Sequence, residues 1–224
     1  MIGQLAVKVT VSAVCAFAMI GLSYGFDPCG SLNNRYGPFD YWTDKDKLGI
    51  VEVAHFTPEV ENLRAGKSST IGGDIDYTLR AFPNHPRALL SIVRLGERRK
   101  SERPPGARYT VACYLERAVR FRPNDGTVRM IYGTYLAKRK KYDEALVHLK
   151  VAEEGAQDNA NLHYNLGLLY FDLEKFEESL KHAHVAYRLG FSLPGLRNKL
   201  EKAGKWADPL PPPAIEETPA QTQN

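Results

Sequence analysis

Two stretches of this chain repeat each other at a spacing of 34 residues. Tyr132, Gly133, Leu136, Tyr142, Ala145 and Ala152 recur as Leu166, Gly167, Tyr170, Phe176, Ser179 and Ala186. The surface partly follows, with Lys141, Glu144 and His148 recurring as Lys175, Glu178 and His182. A period of this length marks a stacked array of helix pairs, because one unit cannot bury its apolar face alone and must share a core with its neighbours. Glycine inside a helix costs about 1 kcal/mol relative to alanine. Close approach of another helix offsets that cost, so Gly133 and Gly167 are expected at helix contacts. Ala145, Ser179, Ala152 and Ala186 are small for the same reason, and Leu136/Tyr170 and Tyr142/Phe176 fill the space around them.

The pattern resembles the tetratricopeptide repeat. Counted from Gly126 and from Ala160, the large residue and glycine fall at positions 7 and 8. An aromatic or leucine falls at 11, and small residues at 20 and 27. Two departures stand out: Arg129 and His163 replace the aromatic of position 4, and Gln157 and Phe191 replace the proline of position 32. The resemblance implies an all-α fold, a right-handed TPR-like α-solenoid of antiparallel helix pairs, here with an irregular N-terminal segment. The expected organisation is a signal peptide or N-terminal anchor at 1–25 and an irregular aromatic segment at 26–56. Degenerate TPR-like helices follow at 57–123, two clear units at 124–191, a capping helix within 192–206 and a disordered Pro-rich tail at 207–224. Thr57-Pro58-Glu59 reads as a helix start, with threonine as N-cap and proline in the first turn. The turn at Ser101–Gly106 carries an insertion. Arg197, Lys199, Glu201 and Lys202 give the last helix the polar outer face that seals an array's end.

With 43% hydrophobic and 25% charged residues, the composition suits one folded region of about 150–180 residues. The first 25 residues differ: Lys8 is their only charge, an apolar run follows from Val9 to Leu22, and Ser23-Tyr24-Gly25 supplies small residues for cleavage. This reads as a secretory leader, with an uncleaved anchor, and hence membrane contact, as the alternative. The expected location is therefore exported and periplasmic. Cleavage would leave two of the three cysteines, Cys29 and Cys113, which either pair in an oxidising compartment or remain thiols with Cys113 packed as a small hydrophobe. The net charge is +4, but Arg94, Arg98, Arg99, Lys100, Arg103, Arg108, Arg117, Arg120 and Arg122 crowd one unit. Interleaved Glu97, Glu102 and Glu116 favour a solvated helix face over a phosphate-binding one, and export removes nucleic acid as a partner.

Residues 26–56 resemble the N-terminal region of exported bacterial repeat proteins, a likeness that implies no activity. Phe39, Tyr41 and Trp42 are expected to cover the open end of the array. Asp44-x-Asp46-x-Leu48-Gly49 opens like a calcium loop, but Leu48 and His55 stand where oxygen ligands are needed. His182 and His184 are two apart on a helix and point apart. Asp74 and Asp76 could serve as paired acids, although a helix N-terminus also draws carboxylates. No catalytic, cofactor or metal motif is found, so no enzyme activity, cofactor or metal is expected.

In the repeat family the first helix of each unit lines the concave face. The resemblance transfers that role to Thr127, Met130, Ile131, Thr134, Ala137 and Lys138, and to Asn161, Tyr164, Asn165, Leu168, Phe171 and Asp172. Asn165 matches the asparagine that bonds a peptide backbone in such arrays. The carboxylate-clamp variant is not matched: Met130 and Thr134 stand where lysine and asparagine belong, and Gly195 where a cation is expected. The leading expectation is a scaffold that binds a protein or peptide in a cell-envelope assembly of the pilus or secretion type. The alternative is a glycan- or small-ligand-binding, or hydrolytic, envelope protein working through Tyr36–Trp42.

Overall fold

The computed structural model describes residues 29–208. The expected leader at 1–25 and nearly all of the Pro-rich tail lie outside the described residues. Among the described residues there are ten helices and no strand: α1 Lys45–His55, α2 Pro58–Glu61, α3 Ile71–Ala81, α4 Pro86–Arg99, α5 Val111–Phe121, α6 Gly126–Ala137, α7 Tyr142–Gly155, α8 Ala160–Asp172, α9 Phe176–Arg188 and α10 Gly195–Lys202. The two clear units are the hairpins α6/α7 and α8/α9. Helices α4, α6 and α8 are successive neighbours, α2 leans on α4, and α7 packs on α8. The protein is an α-solenoid of helix pairs.

Local chemistry sets the boundaries. Thr70, Thr110, Asp125 and Asn159 each accept a hydrogen bond from a backbone N–H in the first turn of α3, α5, α6 and α8, which satisfies donors the helix leaves over. His85 does the same for α4: its Nδ1 accepts from the Ala88 N–H at 3.2 Å. Burial pushes the His85 pKa down to about 3, so the ring stays neutral and keeps the lone pair the cap needs. The α6 and α8 ends repeat as well. Lys140 and Glu174 both take positive φ, 60° and 59°. The following amides of Lys141 and Lys175 return to the carbonyls of Leu136 and Tyr170, closing each helix in the left-handed C-terminal manner.

One apolar core runs from Phe56 to Tyr170. A Cβ on Gly133 would stand 2.7 Å from Leu149, and one on Gly167 would stand 2.4 Å from Leu196 and 3.3 Å from the Ser179 carbonyl. The small residues are therefore contact points, and the partner of Gly167 is the capping helix α10. Gly167→Leu is expected to destabilise the fold by about 1–3 kcal/mol through overpacking. An unchanged thermal midpoint would remove this role from the α8–α10 contact.

The N-terminal segment departs from expectation. It is not irregular throughout, because α1 occupies Lys45–His55. Leu48 and Val51 are buried with Ala81 and Phe82, and Tyr36, Phe39 and Tyr41 pack around them. The hydrophobic spacing in Leu48–Val51 is a single helical step, too short to announce a helix against the surrounding turn residues. Ahead of it, Cys29 and Cys113 form a disulfide with Cα atoms 5.0 Å apart. The buried Arg117 guanidinium donates to three consecutive carbonyls, those of Cys29, Gly30 and Ser31, at 2.9, 3.1 and 2.7 Å. Residues 29–31 are thus clamped to α5 by a covalent bond and a buried cation together.

Candidate partner-binding surface

The twelve residues expected to face a partner lie on α6, on its C-cap Lys138 and on α8, but the structure divides them. On α8, Tyr164 stacks on Phe191 with ring centroids 4.0 Å apart. Leu168 and Phe171 pack on the buried cluster of Ala183, Leu196 and Leu200, and Asp172 accepts from the Lys199 ammonium at 2.9 Å. The apolar groove expected from Tyr164, Leu168 and Phe171 is therefore filled by the chain's own cap. The physical reason is position: α8 is the last first-helix of the array, and its far flank needs α10 to exclude water. On α6, Ile131 is buried, Met130 packs on the core, and Thr134 Oγ1 donates to the Met130 carbonyl. Lys138 pairs with Glu97 of α4 at 2.9 Å.

What remains open is narrower. Thr127 and Asn161 share one register position, six residues before the packing glycines Gly133 and Gly167. Leu90 stands at the same place before Gly96 on the neighbouring α4, and its side chain is 46% exposed. Leu90, Thr127 and Asn161 thus form a row across α4, α6 and α8. Asn165 lies one turn further along α8, its amide donating to the Asn161 carbonyl at 2.9 Å.

Thr127 also lines a cleft of about 520 Å³ with Asp40, Trp42, Arg122, Asp125 and Gly155. The N-terminal segment builds its rim. Asp125 caps α6 with one oxygen, while the other accepts from Trp42 Nε1 at 2.8 Å and Asn84 Nδ2 at 3.2 Å. Asn84 in turn accepts from the Tyr41 N–H and donates to Asp40. Asp40 forms an ion pair with Arg122. Burial pushes the Asp40 carboxyl up, but bonds from the Trp42 amide, Asn84 and Arg122 outweigh it and hold the group below the ordinary carboxylate value. Both acids of the cleft are thus committed to donors, which suits them to shaping a rim rather than to moving protons. Trp42, expected to cover the array's end, is instead 51% exposed at the cleft.

The other sequence candidates are structural. Asp74 accepts from the amides of Lys67, Ser68 and Ser69 and contacts His55. Asp76 accepts from Tyr114 Oη at 2.5 Å and from Arg80, so the two acids do not work as a pair. Asp44 and Asp46 begin α1 instead of opening a calcium loop. Much of the basic cluster is bonded within the chain: Arg94 donates to the Glu61 carbonyl, Arg98 to the Leu63 carbonyl, the buried Arg117 and the exposed Arg120 to the N-terminal clamp, and Arg122 pairs with Asp40. Its density in sequence reflects bonds between units. The cleft acids Asp40 and Asp125 were not singled out from sequence. Asp125 could have been, since Asp-Gly-Thr before a helical stretch is an N-cap signature.

No curated protein matches the chain. The family model of the TPR repeat matches residues 133–182, from the packing glycine of α6 to His182 of α9. This stretch is thus similar to the TPR repeat, and it is set inside an all-helical solenoid that continues on both sides of it among the described residues.

Proposed function

We propose that the protein is a non-enzymatic scaffold that holds an extended segment of a partner protein along the Leu90–Thr127–Asn161 row, with Asn165 bonding its backbone. TPR segments generally serve protein–protein interaction, and the match at 133–182 supports that use here. The observation that carries the reading is the shared register of Leu90, Thr127 and Asn161 on neighbouring first helices, with Leu90 and Asn161 exposed and Thr127 at the edge of the cleft. Polar side chains flanked by one exposed leucine suit a strand-like peptide, read by backbone hydrogen bonds and one apolar anchor. Export to an oxidising compartment is part of the proposal, supported by the apolar leader and the Cys29–Cys113 disulfide. Within it, a cell-envelope assembly of the pilus or secretion type is the setting we favour.

A photo-crosslinking residue at position 161 or 165 should trap the partner in intact cells. The same probe at Glu178, exposed on the opposite helix layer, should not. Equal adducts at all three positions would sink the assignment. A second reading rests on the half-exposed Trp42 at the 520 Å³ cleft, where an aromatic face could stack on a sugar. Quenching of Trp42 fluorescence by envelope glycan, together with no crosslinks at 161 and 165, would replace the first reading by the second.

A further inference from the structure

The residues at positions 4 and 23 of each clear unit touch, and the two units solve that contact differently. In the first, Arg129 donates through Nε to the Pro123 carbonyl at 2.7 Å and through Nη1 to His148 Nδ1 at 3.0 Å. In the second, 34 residues on, His163 Nε2 stands 2.8 Å from the Gln157 carbonyl, and its Nδ1 faces His182 Nδ1 at 3.0 Å. The carbonyl fixes the tautomer: His163 Nε2 carries the proton, so Nδ1 presents a lone pair. A cation in the first unit has become a lone pair in the second. A carboxylate joins only there. Glu153, at the end of α7, places Oε1 3.9 Å from His163 Nδ1 and 3.8 Å from His182 Nδ1, whereas the equivalent place one unit earlier is Val119.

We propose that His163, His182 and Glu153 bind one divalent late transition-metal ion of the zinc class, which joins α7, α8 and α9 across the boundary between the two repeats. Two imidazoles and a carboxylate are a donor set that suits such ions. Tetrahedral zinc with bonds of about 2.0–2.1 Å separates its donors by about 3.3 Å, and the observed separations of 3.0, 3.8 and 3.9 Å bracket that figure. Both histidines are buried, while Glu153 is a third exposed on a helix end and can close the remaining distance. The Gln157 carbonyl is the outer partner that orients a ligating ring. To bind, His182 shifts its one proton from Nδ1 to Nε2, so neither ring loses a proton overall. A fourth position would open to the cleft lined by Lys150, Gln157 and Arg188. Lys150 and Arg188 oppose a bare ion there, while Glu153 and Glu154 of the same cleft offset its charge.

The first unit supplies the control. His163→Arg recreates the Arg129–His148 pair, which this chain already folds around, and removes the lone pair. Zinc is titrated into the metal-stripped full chain, without a histidine tag and with its disulfide intact. One equivalent should bind, raise the melting temperature by several degrees, and move the Nδ1 nitrogen resonances of His163 and His182 but not that of His148. Binding should vanish in His163→Arg. Outer-shell partners alone are worth about 10–100-fold in metal affinity, so Glu153→Gln should cost at least about tenfold. No saturable binding to the wild type, or binding retained in His163→Arg, or resonance changes at other histidines in place of these two, would each overturn the proposal.

Discussion

Asp74→Ala is expected to cost about 3 kcal/mol, because it removes a buried carboxylate that holds three backbone amides. Asp74 is fully buried in the first turn of α3. One carboxylate oxygen accepts from three successive amides, those of Lys67, Ser68 and Ser69, at 2.6, 3.1 and 3.2 Å, and the other contacts His55 Nδ1 at 3.0 Å. Charge-assisted bonds of this kind contribute about 1.5–3 kcal/mol each at best. Residues 67–69 are exposed, so water can replace the carboxylate at their amides, and the net loss stays well below the sum. His55 stacks on Tyr77 with centroids 3.9 Å apart, and therefore loses a polar partner but not its packing. Asp74→Asn, which keeps one acceptor oxygen, should fall between the two. Urea denaturation of the three proteins checks the order. A loss under about 1 kcal/mol for Asp74→Ala would mean that the link from α2 to α3 holds itself without the carboxylate.

How far these features could be read in advance follows their range along the chain. The hairpins α6/α7 and α8/α9 were legible, because each needs the same small and large residues at the same places and the chain states them twice. The cap α10 was legible from Leu200 and the charges around it. What it covers was not: Tyr164, Leu168 and Phe171 occupy ligand-facing register positions, and only the docking of Leu196 and Leu200 shows that they serve the array's own end. Helix α1 was missed because its buried side is two residues, Leu48 and Val51. The left-handed turns were silent as well, since Lys140 and Glu174 take positive φ without glycine or asparagine to announce it. In sequence His182 reads against His184 on its own helix, and His163 only as a departure from the aromatic of position 4. Their contact spans 19 residues, and it becomes readable only when positions 4 and 23 are compared between units.

Loss of the disulfide should cost the fold about 3 kcal/mol and should be felt first at the cleft. Cys29 and Cys113 are 84 residues apart, and chain entropy alone gives a crosslink of that span about 4.5 kcal/mol. Native-state constraints usually return less, and here Arg117 works in parallel: its three bonds to the carbonyls of residues 29–31 resist release of the segment after the sulfurs part. The double variant Cys29→Ser with Cys113→Ser isolates the covalent share, and Arg117→Met in the oxidised protein isolates the polar one. Because both act on the same three residues, their effects should not add: removing both should cost more than the sum, since each is the other's reserve. Downstream of the clamp, the chain runs through Asp40 and Trp42, which bond Arg122, Asn84 and Asp125 at the cleft rim. Reduction should therefore change Trp42 fluorescence at temperatures where the circular dichroism of α6–α9 is still unchanged. Coincident loss of both signals would show that the N-terminal segment and the repeats unfold as one unit, and equal melting of oxidised and reduced protein would show that Arg117 alone suffices to hold the segment.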